Sequence, residues 1–431
     1  MALSFFWFRR DLRLDDNHGL YRALTSGLPV QPVFIFDSDI LDRLEDKKDR
    51  RVDFIHRQLE RLNKELIELG SSLIVEYGRP AEIWKKLIAE HPVKKVFTNH
   101  DYEPYAVKRD GELTRFFADN GVEFQTFKDQ VIFEKSEVAK DDGTPYTVYT
   151  PYMKKWRLRM KPEHLTSYDC RKHFSALHRS RPIKILSLEG MGFSETDLVI
   201  PSVNVQDSLY RNYGDTRDLP GIDGTSRLGI HLRFGTVSIR ELARHTFKLS
   251  DKYFNELIWR EFYQMILWHF PHVVGHAFKP QYDRLVWRNN EEEFDRWCKG
   301  QTGYPIVDAG MRELEATGFM HNRVRMITAI FLTKFLLIDW RWGEAWFAKK
   351  LLDFDLASNN GGWQWSAGTG VDAAPYFRIF NMEEQTKKFD TDHAYIKRWV
   401  PEYQELTYPR PMVDYKMARQ RCLDFYKKGL A

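Results

Sequence analysis

The chain has few cysteines, and none is placed for a disulfide framework or a zinc site. Only three occur in 431 residues, at Cys170, Cys298 and Cys422, and no CxxC pair is present. So few thiols at such wide spacing are typical of proteins in reducing compartments. The first residues run directly into Arg9 and Arg10, which is unlike a secretory signal. We therefore expect a cytoplasmic protein.

Long hydrophobic runs are also missing. The most apolar stretch, residues 327–338, is interrupted by Lys334 and is too short to cross a bilayer, so we expect no membrane association. The chain contains neither a GxGxxG fingerprint nor a Walker lysine loop, which excludes the commonest nucleotide-binding signatures. Three histidines between 269 and 276 lack the HExxH spacing, and we predict no metal site.

Aromatic residues, in contrast, are abundant. The chain has 13 Trp, 20 Tyr and 30 Phe; such side chains fill cores, stack on bases, pack against flat cofactors or carry electrons, and composition leaves these roles open. The net charge of +4 is compatible with a polyanionic partner but does not establish one, because the local distribution of charge decides binding.

Strand and helix patterns alternate over the first third of the chain. Apolar residues between 51 and 70 recur on one helical face, and a second helix is predicted at 81–90. This alternation predicts a parallel sheet with helices on both faces. The predicted strands are short and apolar: 4–8, 30–36, 73–77 and 94–98.

The rest of the chain lacks convincing strand patterns. We predict an α/β domain over 1–130, a partly helical connector over 131–198, and an all-helical domain over 199–431. The connector contains the turn sequence DDGTP at 141–145. No internal repeat or low-complexity segment is present.

Gly224-Thr225-Ser226-Arg227-Leu228 precedes a predicted helix. Its hydroxyl groups and backbone amides suit phosphate oxygens, with Arg227 as a forked donor. Upstream, Tyr213 and Arg217 are candidates to complete such a site. Taken alone, this segment favours an ordinary helix cap.

The segment 353–365 combines acids, glycines and tryptophans. Asp353 and Asp355 can accept hydrogen bonds from a ring N–H, and Gly361-Gly362 allows the backbone to approach something flat. On other predicted helices, two pairs share a face: Glu256 with Trp259, and Asn322 with Met326. Taken alone, the first pair is an ordinary surface pair and the second belongs to a solvated basic helix.

Together these segments resemble the photolyase/cryptochrome family, and within it the class I photolyases of cyclobutane pyrimidine dimers. The resemblance runs through FFWFRRDLRLDDN at 5–17, GTSRL at 224–228, ELIWREFY at 256–263, TGYPIVDAGMRELEATGFMHNRVRM at 302–326 and DFDLASNNGGWQWSAGTG at 353–370. It implies an N-terminal Rossmann-like α/β domain with a parallel sheet and an all-α C-terminal FAD-binding domain.

The resemblance implies a residue set for FAD, which is reduced in the active form. Asn359 would face flavin N5, where a neutral amide favours the reduced flavin and a carboxylate would repel it. The implied contacts of the phosphates, ring and adenosine end are Tyr213, Arg217, Thr225, Ser226, Arg227, Leu228, Arg260, Asp353, Asp355 and Asn359.

The resemblance also implies a pocket for a pyrimidine dimer flipped out of DNA. Glu256 would bond the pyrimidine carbonyl edge during ring splitting, and Trp363, Trp340 and Trp287 would carry an electron to oxidised flavin. Because the 322–326 helix presents Asn322 and Met326 where six-four photolyases carry histidines, we expect no six-four repair. The implied pocket and phosphate contacts are Glu256, Trp259, Asn322, Arg323, Met326, Trp365 and Arg378, with Arg325 as a further candidate.

The antenna chromophore and the biological role are left open. Ala106 stands where the folate-binding branch has an acid, and Arg51 and Asp101 weakly resemble the deazaflavin-binding branch, so a second chromophore has no predicted identity. We expect a monomeric light-dependent repair enzyme. The alternative is a cryptochrome-type photoreceptor without repair; a flavoprotein reductase lacks a nicotinamide signature.

Overall fold

The computed structural model describes residues 2–431, which form two compact units. One comprises residues up to 134, 160–204 and 227–247, and the other comprises 135–159, 205–226 and 248–431. The units therefore interleave along the chain, whereas each predicted domain, with boundaries at 130 and 198, is one continuous segment. The predicted connector is divided between the two units, and 227–247, which was predicted in the helical domain, belongs to the first unit.

The sheet of the first unit is parallel throughout, as predicted, with strand order β3-β2-β1-β4-β5. The four predicted strands are confirmed. The fifth was missed because it is an edge strand with alternating polar residues and no buried position. The strands β1 to β5 are Leu3–Phe8, Val30–Asp37, Ile74–Gly78, Val93–Asn99 and Glu123–Phe127.

Helices in the first unit pack around this sheet. The predicted helix at 51–70 is confirmed as Arg50–Glu68; the Asp49 carboxylate caps its first turn by accepting from Arg51 N and Val52 N. Gly70, with a φ of +80°, follows its end. Numbered along the whole chain, α1 to α5, α8 and α9 are His18–Leu24, Ser38–Leu41, Arg50–Glu68, Pro80–Glu90, Pro104–Asp119, Gly229–Phe234 and Ile239–Phe247.

A buried ion cluster joins α9 to the N-terminal part of this unit. Asp129 accepts from Arg13 Nη2 at 2.7 Å and from Arg240 Nη2 at 2.8 Å. Burial alone would raise the pKa of Asp129, but the two guanidinium groups outweigh it and lower the pKa to about 2. Arg240 also binds Asp16 at 2.8 Å. These contacts tie α9 to the loops at Arg13–Asp16 and Asp129 within the first unit.

This cluster predicts an acid-dependent stability. Because the folded pKa of Asp129 is about 2 and the unfolded value is near 3.9, the ionised group contributes about 2.5 kcal/mol above pH 4, and this contribution is lost as pH falls through 2. Asp129→Asn should therefore unfold more easily than wild type at pH 7. Urea titrations should show that the difference in the free energy of unfolding between Asp129→Asn and wild type becomes smaller below pH 4. Exposed Asp119→Asn is the control; a pH-independent difference would contradict the assignment.

The second unit is helical, as predicted. Its helices α6, α7 and α10 to α18 are Tyr149–Arg159, Asp207–Thr216, Asp251–His269, Glu291–Cys298, Pro305–Thr317, Asn322–Ile330, Trp340–Lys350, Leu356–Ala367, Met382–Phe389, Ala394–Trp399 and Tyr415–Leu430. Gly318 ends α12 in the left-handed conformation, and α13 begins after His321, whose side chain accepts a hydrogen bond from Arg323 N.

The apolar stretch at 327–338 lies in the core of this unit. It continues α13 into a π-helical turn, Phe331–Phe335, and its hydrophobic side chains are buried. Across residues 2–431, no helix combines the length and apolarity needed to span a membrane.

Candidate functional site

Helix α10 places Glu256 and Trp259 on one face, as their spacing predicted. The Glu256 carboxylate accepts a hydrogen bond from Arg217 Nη1. Burial raises the pKa of Glu256, although the Arg217 guanidinium opposes the shift. Both side chains remain partly exposed, at 31% for Glu256 and 28% for Arg217.

Trp259 is held by a tyrosine that the sequence did not single out. Tyr149, at the start of α6, stacks on the indole with ring centroids 3.5 Å apart and planes 6° from parallel. Its hydroxyl donates to Asn255 O at 2.9 Å, and its backbone N–H donates to Asp372 at 3.0 Å. Tyr149 lies in the predicted connector, where a cluster of tyrosines was the available signal.

The predicted phosphate-binding residues meet around Tyr253 on α10. Ser226 Oγ lies 2.9 Å from the Tyr253 hydroxyl oxygen, and Tyr213 packs edge-on against the same ring at 5.0 Å. The Arg217 guanidinium lies over Tyr213 at 5.5 Å. Thr225 precedes Ser226 in this unit.

Three further residues belong to the predicted phosphate-binding set. Arg227 has a φ of +52° and Leu228 caps the six-residue helix α8, but both belong to the first compact unit. Arg260 is half-buried on α10. The pairing of these three with a phosphate stays a prediction.

The two predicted acids have different structural roles. Asp355 caps α15 by accepting from Ser358 N at 3.0 Å, and it also accepts from Gln264 Nε2 at 3.0 Å. Asp353 forms a two-point ion pair with Arg325 at 2.9 and 3.1 Å. Arg325 therefore balances the charge of Asp353 in this structure, and a contact with a DNA phosphate stays a prediction.

Asn359 is oriented by a glutamate on α14. Its Nδ2 donates to Glu344 Oε1 at 2.8 Å and to Glu344 O at 3.1 Å. This leaves Oδ1 as the acceptor of the side chain. Burial raises the pKa of Glu344, and the Asn359 hydrogen bond opposes the shift. Sequence reasoning missed Glu344 because the two residues are 15 positions apart on different helices.

The two glycines after Asn360 differ in their surroundings. A Cβ at Gly361 would lie 2.2 Å from the Tyr263 ring, whereas one at Gly362 would meet nothing within 4 Å. Gly361 therefore makes the close approach that was predicted for this pair, and the group it approaches is the Tyr263 ring of the protein itself. Gly362 alone faces open space.

The three predicted electron-carrying tryptophans lie in or against the helical core. Trp363 and Trp340 are buried in one hydrophobic cluster, and half-buried Trp287 packs against it. Trp363 contacts Phe347 at 4.9 Å and Trp297 at 6.1 Å, and Trp287 contacts Phe425 at 5.3 Å. Trp297 was not predicted, because burial brings it to Trp363 from a distant helix.

The remaining predicted pocket residues are on the same unit. Asn322 is exposed and Met326 half-buried on α13; Arg323 pairs with Asp218 at 2.8 Å and approaches Met326 Sδ at 3.8 Å. Trp365 is half-buried on α15, and Arg378 is exposed in the segment that follows.

The donor set of this unit fits FAD. Arg217 and Ser226 would suit phosphate oxygens, Asp355 would suit a ribose or ring N–H, and the Asn359 carbonyl, which Glu344 leaves as an acceptor, would suit a flavin N–H. The family model described as the FAD binding domain of DNA photolyase matches residues 253–407, and that of DNA photolyase matches 4–169.

The chain belongs to the DNA photolyase family. Its relatives include proteins named deoxyribodipyrimidine photo-lyase from Halobacterium salinarum and Escherichia coli. Each is 36% identical, with 99% of both chains covered. It carries the FAD-binding domain of this family, and the relatives are lyases by name.

Solved photolyases share the whole architecture. A bacterial class III photolyase from Agrobacterium tumefaciens has a TM-score of 0.88 and 33% identity over 100% of this chain and 98% of that one. An archaeal photolyase from Sulfolobus tokodaii with two FAD molecules has a TM-score of 0.81 and 33% identity over 99% of this chain and 100% of that one. A Synechocystis cryptochrome, 24% identical with a TM-score of 0.84, covers 99% of both chains and shares the fold.

For this photolyase-family chain, the antenna candidates are already paired within the protein. Asp101 accepts from Arg10 at 3.0 Å and Arg51 pairs with Asp49, while Ala106 is buried. The Sulfolobus tokodaii structure shows that a relative holds a second flavin. The identity of a second chromophore in this chain stays open.

Proposed function

We propose that this protein repairs cyclobutane pyrimidine dimers in DNA by light-driven electron transfer. The observation that carries the proposal is Asn359, because Glu344 bonds its Nδ2 and leaves a neutral carbonyl as the acceptor. Such a carbonyl accepts from the N5–H of reduced flavin without adding charge, which favours the redox state that repair requires.

Reduced FAD, when bound, supplies the electron on absorbing blue light. The protein supplies the pocket: Glu256 bonds the pyrimidine carbonyl edge while negative charge resides on the dimer. Because burial raises the pKa of Glu256, its carboxyl group takes up a proton at a higher pH than an exposed glutamate does, and in that form it would donate a hydrogen bond to the carbonyl. After ring splitting the bound FAD would take the electron back, so that the reaction has no net redox change.

The dimer must leave the duplex before it reaches this pocket. Extrusion costs a few kcal/mol and is easiest where pairing is already damaged. Trp259 and Trp365 offset this cost by stacking, which contributes about 1–3 kcal/mol per base. Tyr149 already covers one face of Trp259, so the indole has a fixed orientation before DNA binds.

The direct test is a repair assay with the FAD-loaded, chemically reduced protein and an oligonucleotide containing one thymine dimer. Blue light should restore intact thymines, measured by chromatography, and a dark sample should not. If dimers persist under light despite full flavin loading and reduction, the repair function is wrong. Light-induced flavin changes without repair would then favour the photoreceptor alternative.

Trp363→Phe should separate photoreduction from repair. If Trp363 begins the electron route to the flavin, blue-light reduction of oxidised enzyme should be nearly abolished, because phenylalanine is far harder to oxidise. Repair by chemically reduced enzyme should continue. Trp84→Phe in the sheet unit is the matched control, since both indoles are buried and their Nε1 atoms have no acceptor within residues 2–431. Normal photoreduction in Trp363→Phe would remove this role.

A further inference from the structure

Lys334 is a fully buried cation in the π-helical turn Phe331–Phe335. Its Nζ donates to two backbone carbonyls, Arg378 O at 2.9 Å and Pro375 O at 3.5 Å. Within residues 2–431, no carboxylate forms an ion pair with it. Burial lowers the pKa of Lys334 to about 8, with the Arg378 guanidinium contributing in the same direction. A buried charge is costly unless it is paired or hydrogen-bonded, so the two carbonyls are the groups that stabilise the Lys334 ammonium group.

The backbone around Lys334 is irregular in two ways. A π-helical turn widens the helix by one residue, a feature that often marks functional sites. Leu337, three residues later, is buried and has a φ of +53°, a conformation that is costly for a residue with a Cβ. Both irregularities therefore lie within three residues of Lys334, whose ammonium group binds the carbonyls of Pro375 and Arg378.

The partner of Lys334 is a tight turn at residues 375–378. Arg378 N donates to Pro375 O at 2.9 Å, so the Pro375 carbonyl accepts from both the turn and the lysine. Tyr376 anchors the turn by stacking on Tyr426 at 5.3 Å. Phe377, in contrast, is 62% exposed, and the Arg378 side chain is exposed beside it.

This turn is connected to the candidate lesion pocket. It follows α15, which carries Trp365, and Asp372 in the same segment accepts the backbone N–H of Tyr149 at 3.0 Å. Tyr149 is the residue stacked on Trp259. The exposed ring of Phe377 and the Arg378 guanidinium therefore project from a segment tied to the pocket at one end and to Lys334 at the other.

We propose that Lys334 is a positioning residue for DNA binding: its ammonium group fixes the 375–378 turn, so that Arg378 and Phe377 are presented to the DNA around the lesion in one conformation. A lysine suits this role because one Nζ offers three donors to converging carbonyls. The inference rests on the proposed repair function, since it assigns a further residue to the same substrate.

Lys334→Met tests the inference with little change in side-chain volume. In the dark, the Kd for an oligonucleotide containing one dimer should rise roughly tenfold, because an unfixed turn must be ordered on binding. Repair at saturating DNA, flavin content and photoreduction should stay near wild type. Amide hydrogen exchange in 374–380 should be roughly tenfold faster. Lys350→Met, which removes a half-buried lysine paired with Glu315 at 2.8 Å, is the control.

A double-mutant cycle distinguishes positioning from general stability. Arg378→Ala removes the side chain but keeps the carbonyl that Lys334 binds. If Lys334 acts by placing Arg378, the two substitutions together should weaken binding by less than the product of their separate effects. Fully multiplicative effects on Kd, unchanged exchange at 374–380, or equal losses of flavin and DNA binding in Lys334→Met would each overturn the proposal.

The wild-type arm separates the two hypotheses. Wild-type protein that binds and repairs dimers, with Lys334→Met indistinguishable from it, would overturn the role of Lys334 and leave the repair function intact. Wild-type protein that neither binds nor repairs dimer-containing DNA would overturn the repair function and, with it, this role.

Discussion

Glu256→Ala is expected to bind FAD normally and to repair thymine dimers with a yield lowered roughly tenfold or more. A hydrogen bond to a charged group contributes about 1.5–3 kcal/mol, and this energy acts on the competition between ring splitting and premature electron return. The loss should appear as fewer repaired dimers per absorbed photon. The variant also leaves Arg217 without the carboxylate that it binds in the structure.

Glu256→Gln is the matched variant for this prediction. Its amide keeps a hydrogen-bond donor for the pyrimidine carbonyl but cannot ionise. It should retain most of the repair yield, with a flat response to pH. In wild type the repair yield should fall as pH rises through the pKa of Glu256, which burial raises, because the protonated donor is then lost. Equal yields in Glu256→Ala and wild type would refute the assigned role.

Asn359→Asp is expected to prevent the stable accumulation of fully reduced flavin. An added carboxylate repels the anionic reduced ring by about 1 to 4 kcal/mol, depending on the effective dielectric constant. It would also stand against the Glu344 carboxyl group, whose Oε1 lies 2.8 Å from the Asn359 amide nitrogen, so that the two acids would share a proton. Absorption spectra during photoreduction and a redox titration should show a lower flavin midpoint potential.

The double variant Asn359→Asp with Glu344→Gln isolates the flavin effect. Removing the Glu344 charge relieves the repulsion between the two carboxyl groups, while the new charge beside the flavin remains. The midpoint potential of the flavin should therefore stay below that of wild type. The free energy of unfolding should be higher than in the single variant Asn359→Asp, because the two carboxyl groups no longer repel each other. A wild-type potential in either variant would show that Asn359 does not set the redox preference of the flavin.

Sequence patterns were informative where neighbours along the chain decide the structure. The parallel strands and the 50–68 helix follow from apolar spacing, and the shared face of Glu256 and Trp259 follows from a helical repeat. The long motifs at 302–326 and 353–370 identified the family. Edge strand β5 was missed, because a strand without buried positions carries no apolar pattern.

Tertiary structure decided the partners of these residues. Glu344 orients Asn359, Tyr149 stacks on Trp259, and Lys334 binds the carbonyls of a turn more than 40 residues away. Each contact joins side chains from separate elements.

The sequence by itself thus determined the fold class, the family and the residue types of the site. Only the folded chain decided which amide oxygen is left to accept, which face of an indole is covered, and which carbonyls a buried ammonium group must satisfy. Helical spacing fixes the face on which a residue lies, whereas its hydrogen-bond partner depends on how distant helices pack together.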